Sequence, residues 1–74
     1  MNDEMRFEGQ IVRLLPNKGF GFVRIKNRKE DHFFHKDDYS GDWFRLLETT
    51  PLPYVTCIVV ESNKGPRVAD VTPI

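Results

Sequence analysis

The side chains best suited to bind something sit in two runs, Lys18-Gly19-Phe20-Gly21-Phe22-Val23 and His32-Phe33-Phe34-His35. Successive side chains of a strand point to opposite faces. An extended first run therefore gathers Lys18, Phe20, Phe22, Arg24 and Lys26 on one face, and Gly19, Gly21, Val23 and Ile25 on the other. A core face would exclude the cations, and a solvated face would not favour the phenylalanines. Both are wanted where bases stack on rings and phosphates meet positive charge, which is single-strand nucleic-acid chemistry. In the second run Phe33 and His35 share one face, His32 and Phe34 the other. Paired as neighbouring strands, the two runs would present Phe20, Phe22, Phe33 and His35 as one exposed aromatic platform. Taken alone, a pair of phenylalanines is more often core; the shared face with Lys18 and Arg24 weighs against that here.

Two other chemistries fail on spacing. His32-x-x-His35 with Cys57 suggests zinc, but residues three apart on a strand face opposite sides, and a third and fourth ligand are lacking. His32 then falls at the edge of the interior, where a neutral imidazole needs a hydrogen-bond partner. No nucleophile, base and orienter come together in sequence, and there is no phosphate-loop motif. Asp37-Asp38 reads as a helix-start pair rather than as catalytic carboxylates. The chain reads as a binding module with no catalytic residue, metal, cofactor or small-molecule substrate.

These residues must be held by a small scaffold. A chain of 74 residues makes one domain that buries about 60% of its unfolded surface. Eleven basic and eleven acidic side chains give a net charge of zero, not the basic balance usual for nucleic-acid binding. The expectation is segregation: Asp3-Glu4, Glu30-Asp31 and Asp37-Asp38 lie outside the Phe20/Phe22 face, and the basic residues on or beside it. Binding would then lean on stacking and show a shallow salt slope. Cys57 is the single cysteine; in the apolar run Val55–Val60 it reads as a buried thiol. No apolar run is long enough for a signal peptide or a membrane span, which points to the cytoplasm.

Along the chain, Met1 to Met5 reads as a flexible tail and residues 6–74 as the domain. Arg6 to Leu15 reads as a strand in which Gly9 marks a bend. Pro16-Asn17-Lys18-Gly19 is a turn, and Phe20 to Lys26 returns as a hairpin strand. Asn27 to Asp31 is a charged, solvated loop in which Arg28 and Lys29 are weaker candidates for phosphate. His32 to His35 is a short third strand, and Lys36-Asp37-Asp38-Tyr39 a single helical turn. Asp42 to Pro53 is irregular, since Pro51 and Pro53 exclude a continuous strand. Tyr54 to Ser62 is the clearest strand; Asn63-Lys64-Gly65-Pro66 is a turn, and Arg67 to Thr72 a fifth strand. With no convincing helix, this is an all-β chain whose natural closure is a five-stranded OB-type barrel; pattern alone also admits an SH3-like barrel.

Three motifs resemble the cold-shock domain family. Lys18-Gly19-Phe20-Gly21-Phe22-Val23 is similar to its K-G-F-G-F-I, Asp31-His32-Phe33-Phe34-His35 to its D-V-F-V-H, and Gly65-Pro66-Arg67-Val68-Ala69-Asp70-Val71 to its closing G-P-x-A-x-N-V. The resemblance runs from Gly9 to the end. It implies a five-stranded antiparallel OB-fold barrel that binds single-stranded RNA or DNA and acts as an RNA chaperone, with effects on transcription or translation. It makes Lys18 a phosphate or base-edge contact, Phe20, Phe22 and Phe33 stacking surfaces, and His35 a stacking and hydrogen-bonding partner. Either Trp43 or Phe44 completes the surface from the long third connection. Lys64 adds a cation from the last turn.

The departures concern the ligand. Arg13 stands where the family usually carries tryptophan, and Lys36 where it favours phenylalanine. A guanidinium plane still stacks and adds charge, but alternation groups Arg13 with Ile11 and Leu15 rather than with the rings. Losing two rings at about 1–3 kcal/mol per stacked base implies weaker affinity than is usual for the family. The alternative is an OB-fold module that uses the same aromatic face for a protein partner, because exposed aromatic patches serve both. The chain is expected to be a monomer, with a dimer as the other possibility.

Overall fold

The computed structural model describes residues 5–74. The tail expected over Met1 to Met5 falls outside them apart from Met5, which is exposed. Five strands, β1 (Phe7–Leu15), β2 (Phe20–Ile25), β3 (Asp31–His35), β4 (Tyr54–Ser62) and β5 (Gly65–Pro73), form one antiparallel sheet in the order β3-β2-β1-β4-β5. The edges meet. Tyr39 bridges Val71 in parallel, and the Ser40 amide donates to the Val71 carbonyl at 2.8 Å. Arg67 of β5 reaches the Asp38 carboxylate at 2.8 Å. With β3 brought against β5, the sheet closes as a five-stranded OB-fold barrel.

The core follows from alternation. Val23 and Ile25 of β2, Phe34 of β3, Val55 and Cys57 of β4 and Val68 and Val71 of β5 point inward, with Ile11 and Leu46. His32 also faces inward, 5% exposed, and its Nδ1 has no hydrogen-bond partner among the described residues. Gly21 is required by close packing. A Cβ there would stand 2.7 Å from the Arg13 carbonyl oxygen and 2.8 Å from a Leu14 methyl.

Two irregularities break the alternation. In β1 the register runs Ile11↔Val23 and then Arg13↔Phe22, so Val12 is an extra, bulged residue. Arg13 and Leu15 are thereby paired with Phe22 and Phe20, while Leu14 lies against Gly21 and packs on the core. The expected grouping of Arg13 with Ile11 is therefore corrected: a bulge re-aims every side chain beyond it. In β5 the extra residue is Asp70, with φ of 49°, between Val68 and Val71. Aspartate tolerates this left-handed conformation better than most residues.

Two other expectations are corrected. The stretch from Asp42 to Pro53 contains a short helix, α1 (Trp43–Leu46). The Asp42 carboxylate accepts from the Phe44 and Arg45 amides at 3.0 and 3.3 Å, an N-cap. Burial of Leu46 then anchors the turn in the core. β5 begins at Gly65 and ends at Pro73, longer than expected, because its ends pair with Ser62 and Val55 of β4. The helical turn expected after His35 is present as a 3-10 turn at Lys36–Asp38, and a second 3-10 turn spans Pro16–Lys18.

Candidate nucleic-acid interface

Pairing of β2 with β3 sets Phe20 opposite His35 and Phe22 opposite Phe33 on the outer face. The ring centroids of Phe20 and Phe33 are 4.9 Å apart, those of Phe20 and Phe22 6.0 Å, and those of Phe22 and Phe33 6.2 Å. The planes are tilted or edge-on, so the rings support one another while each stays partly exposed. Arg13, exposed and paired with Phe22, borders this cluster on the β1 side.

The β1–β2 turn delivers Lys18. Gly19 takes a φ of 72°, a left-handed conformation open to glycine, and its amide donates to the Leu15 and Pro16 carbonyls. The Lys36 amide donates to the Gly19 carbonyl at 2.9 Å, and the Lys36 side chain lies against Gly19. Lys18 and Lys36 thus share one corner beside Phe20. On the other flank, Lys64 lines a groove of about 540 Å³ with Phe20, Phe33, Ser62, Pro66 and Arg67.

His35 is fixed by its own turn. Its Nδ1 accepts from the Asp37 amide at 3.1 Å, and its amide donates to Asp38 at 3.4 Å. That bond assigns the neutral ring's proton to Nε2, which is then the atom able to donate to a ligand.

The charges are less segregated than the sequence suggests. Asp31 stands directly opposite Arg24 on the ring-bearing face and binds it at 2.8 and 3.2 Å. Hydrogen bonding and attraction to Asp31 push Arg24 further up from its ordinary value. The expectation that Asp31 lies outside this face is therefore corrected, while Glu30 stays in the loop before β3. The signal was available, because Asp31, Phe33 and His35 share the parity of one strand face. Arg67 was missed as well; it is neutralised by Asp38 at the groove edge. Arg13, Lys18, Lys36 and Lys64 make no ion pair among the described residues.

Of the two aromatics in the third connection, Trp43 packs inward, with its ring 6.2 Å from Phe34 of the core. Phe44 is 75% exposed. His32 and Cys57 are buried while His35 is outside, and no cluster of three metal-ligating side chains occurs among the described residues.

A closed five-stranded barrel with an aromatic and cationic outer face is the architecture of an OB-fold binding domain. The model of the "Cold-shock" DNA-binding domain family matches residues 7–74. The chain belongs to the cold-shock domain family, whose members generally bind nucleic acid. It is 40% identical over 64 residues to the cold shock-like protein CspD of Bacillus cereus, covering 86% of this chain and 92% of that one. It is 33% identical over 67 residues to a cold shock-like protein of Aquifex aeolicus, covering 90% and 93%. Among solved structures it is similar to Drosophila Unr CSD456, with a TM-score of 0.74 at 23% identity. That match covers 97% of this chain and 28% of the longer one, and it bears on the fold alone. Among the described residues no helix is long and apolar enough to cross a membrane.

Proposed function

We propose that this chain binds single-stranded RNA or DNA by stacking bases on Phe20, Phe22 and Phe33, and that it acts as a cytoplasmic RNA chaperone. The observation that carries the reading is the outward-facing trio of rings at 4.9–6.2 Å across β2 and β3. Three partly exposed phenylalanines gathered on one outer face make an apolar patch suited to a ligand. His35 stacks and donates from Nε2. Arg13, Lys18, Lys36 and Lys64 meet phosphates. Phe44 takes a further base from α1, while Trp43 holds that helix to the barrel. Arg24 is committed to Asp31, so its share in phosphate binding is small. The domain acts over residues 6–74 as a monomer that holds strands unpaired, and its role is binding rather than catalysis.

The test is fluorescence anisotropy with labelled oligo-dT and oligo-U against the wild type, Phe20→Ala and Phe33→Ala. Each substitution should weaken binding by about 1–3 kcal/mol. An RNA stem-loop carrying a fluorophore and quencher should open at saturating protein. A stem-loop that stays closed would remove the chaperone role. Failure of both oligomers to bind at micromolar protein would overturn the reading and leave a protein partner for the same face.

A further inference from the structure

A second concavity lies on the outer surface beside the ring cluster. Its volume is about 580 Å³, and Val12, Gln10, Tyr54, Arg24, Lys26 and Arg28 are among the residues that line it. The pairing explains how it forms. Gln10 is opposite Arg24 of β2 and opposite Tyr54 of β4, so Arg24, Gln10 and Tyr54 make one cross-strand row. The β1 bulge at Val12 adds an apolar side chain to the groove next to that row. Tyr54 is 64% exposed, a large ring left in water at the start of a strand.

We infer that this groove binds the continuation of the same nucleic-acid strand, with Tyr54 as a further base-stacking residue. The inference rests on the proposed single-strand binding and extends it to a place that the ring cluster does not reach. Three observations favour a nucleic acid as the occupant. The groove is continuous with the ring cluster, because Arg24 is two residues from Phe22 along β2 and Val12 adjoins Arg13 along β1. Its cationic side chains suit a phosphodiester: Lys26 and Arg28, the latter 4.9 Å over the Phe7 ring, outnumber the one acidic side chain in the lining, Glu8, while Arg24 is balanced by Asp31. Its recognition groups also suit a base. Tyr54 offers a ring face, and the Gln10 amide is fixed by donating to the Leu52 carbonyl at 3.1 Å, which leaves its carbonyl oxygen to accept from a base N–H. From strand spacing and rise, Tyr54 lies on the order of 12 Å from Phe22, within the reach of OB-fold sites of about 4–16 nucleotides.

The experiment compares fluorescein-labelled oligo-dT of about 4 and about 10 nucleotides, the lower and middle parts of that range, with the wild type, Tyr54→Ala, Tyr54→Phe and Phe20→Ala. Tyr54 is exposed, so the substitution leaves the core intact; thermal unfolding of each variant verifies this. Tyr54→Ala should weaken the long oligomer about five-fold or more and leave the short one unchanged. Tyr54→Phe should restore the long-oligomer affinity, and Phe20→Ala should weaken both. Equal affinity of wild type and Tyr54→Ala for the long oligomer would overturn the inference and leave the ring cluster standing. Equal weakening of both lengths by Tyr54→Ala would also overturn it. A wild-type dimer in sedimentation that Tyr54→Ala dissolves would reassign the groove to a second copy of the chain. Loss of all oligomer binding in the wild type would overturn the single-strand reading and this extension together.

Discussion

Arg13 shows how one residue's role depends on register. Without the bulge it would face the core, where an unpaired guanidinium is not tolerated. With it, Arg13 is exposed and opposite Phe22. A planar cation there both stacks and attracts phosphate, but a larger ring at the same place stacks better. Arg13→Trp should therefore tighten oligo-dT binding by about 1 kcal/mol or more. It should also lower the salt dependence by about 0.7 in log–log slope, the value of one single-strand phosphate contact. Titrations at several salt concentrations measure both. Tighter binding with an unchanged slope would mean that Arg13 meets no phosphate; weaker binding would mean that residue 13 does not face the ligand.

The elements that hold these residues are packed with little slack. Gly21 lies under the ring cluster, against the β1 backbone and 3.0 Å, measured from an added Cβ, from the Phe34 ring. Gly21→Ala should force β1 and β2 apart at a cost of about 1–3 kcal/mol, read as a lower urea midpoint. His32 presents the opposite case, a buried polar ring whose Nδ1 has no partner among the described residues. His32→Val should stabilise the domain by about 1 kcal/mol by removing that unsatisfied atom; a loss of stability would show that His32 makes an interaction absent from this structure. Much of this level was legible in the sequence. Period-two alternation found β2, β3 and β4 and separated Phe20, Phe22 and Phe33 from Val23, Ile25 and Phe34. The bulge at Val12 was not legible, because it is set by pairing with β2 rather than by the composition of β1. α1 was too short to show a helical period; its signals are one cap, Asp42, and one buried Leu46. β5 is longer than the local pattern shows because the β4–β5 turn is only Asn63-Lys64, so that Gly65 and Pro66 already pair with Ser62 and Glu61, and because Pro73 pairs with distant Val55. Asp31 reads as loop charge from its neighbours Lys29 and Glu30, but its strand parity puts it with Phe33.

As a whole, the molecule is a small barrel whose proposed binding face is spread over β1, β2, β3 and the segments that close it. Among the described residues, three of its eleven basic side chains are spent in ion pairs. Arg24–Asp31, Arg67–Asp38 and Arg6–Asp70 are paired, so the field that reaches a ligand comes from the lysines with Arg13, Arg28 and Arg45. The interior sets the alkaline limit. Burial pushes the Cys57 thiol above its ordinary value of 9.0, with Arg6 and Arg28 opposing, and burial with the nearby Asp42 pushes the Tyr39 hydroxyl above 10.0. On unfolding, both groups regain their ordinary acidity and lose protons first as pH rises. The unfolded chain then binds fewer protons, and stability falls with pH. These two groups should leave stability flat below about pH 9 and lower it progressively above; Cys57→Ala should remove the earlier part of the fall. Urea unfolding across that range measures the slope, and a rise in stability above pH 9 would contradict the burial of the thiol. The most direct measurement at this scale is a map of backbone amide shifts by NMR while oligo-dT is added. Saturable shifts should concentrate at Phe20, Phe22, Phe33 and His35, with Arg13 and Gly19 beside them. Shifts confined to the far side, around Asp70 to Thr72, or no shifts at saturating oligomer, would contradict the ring cluster as the nucleic-acid interface.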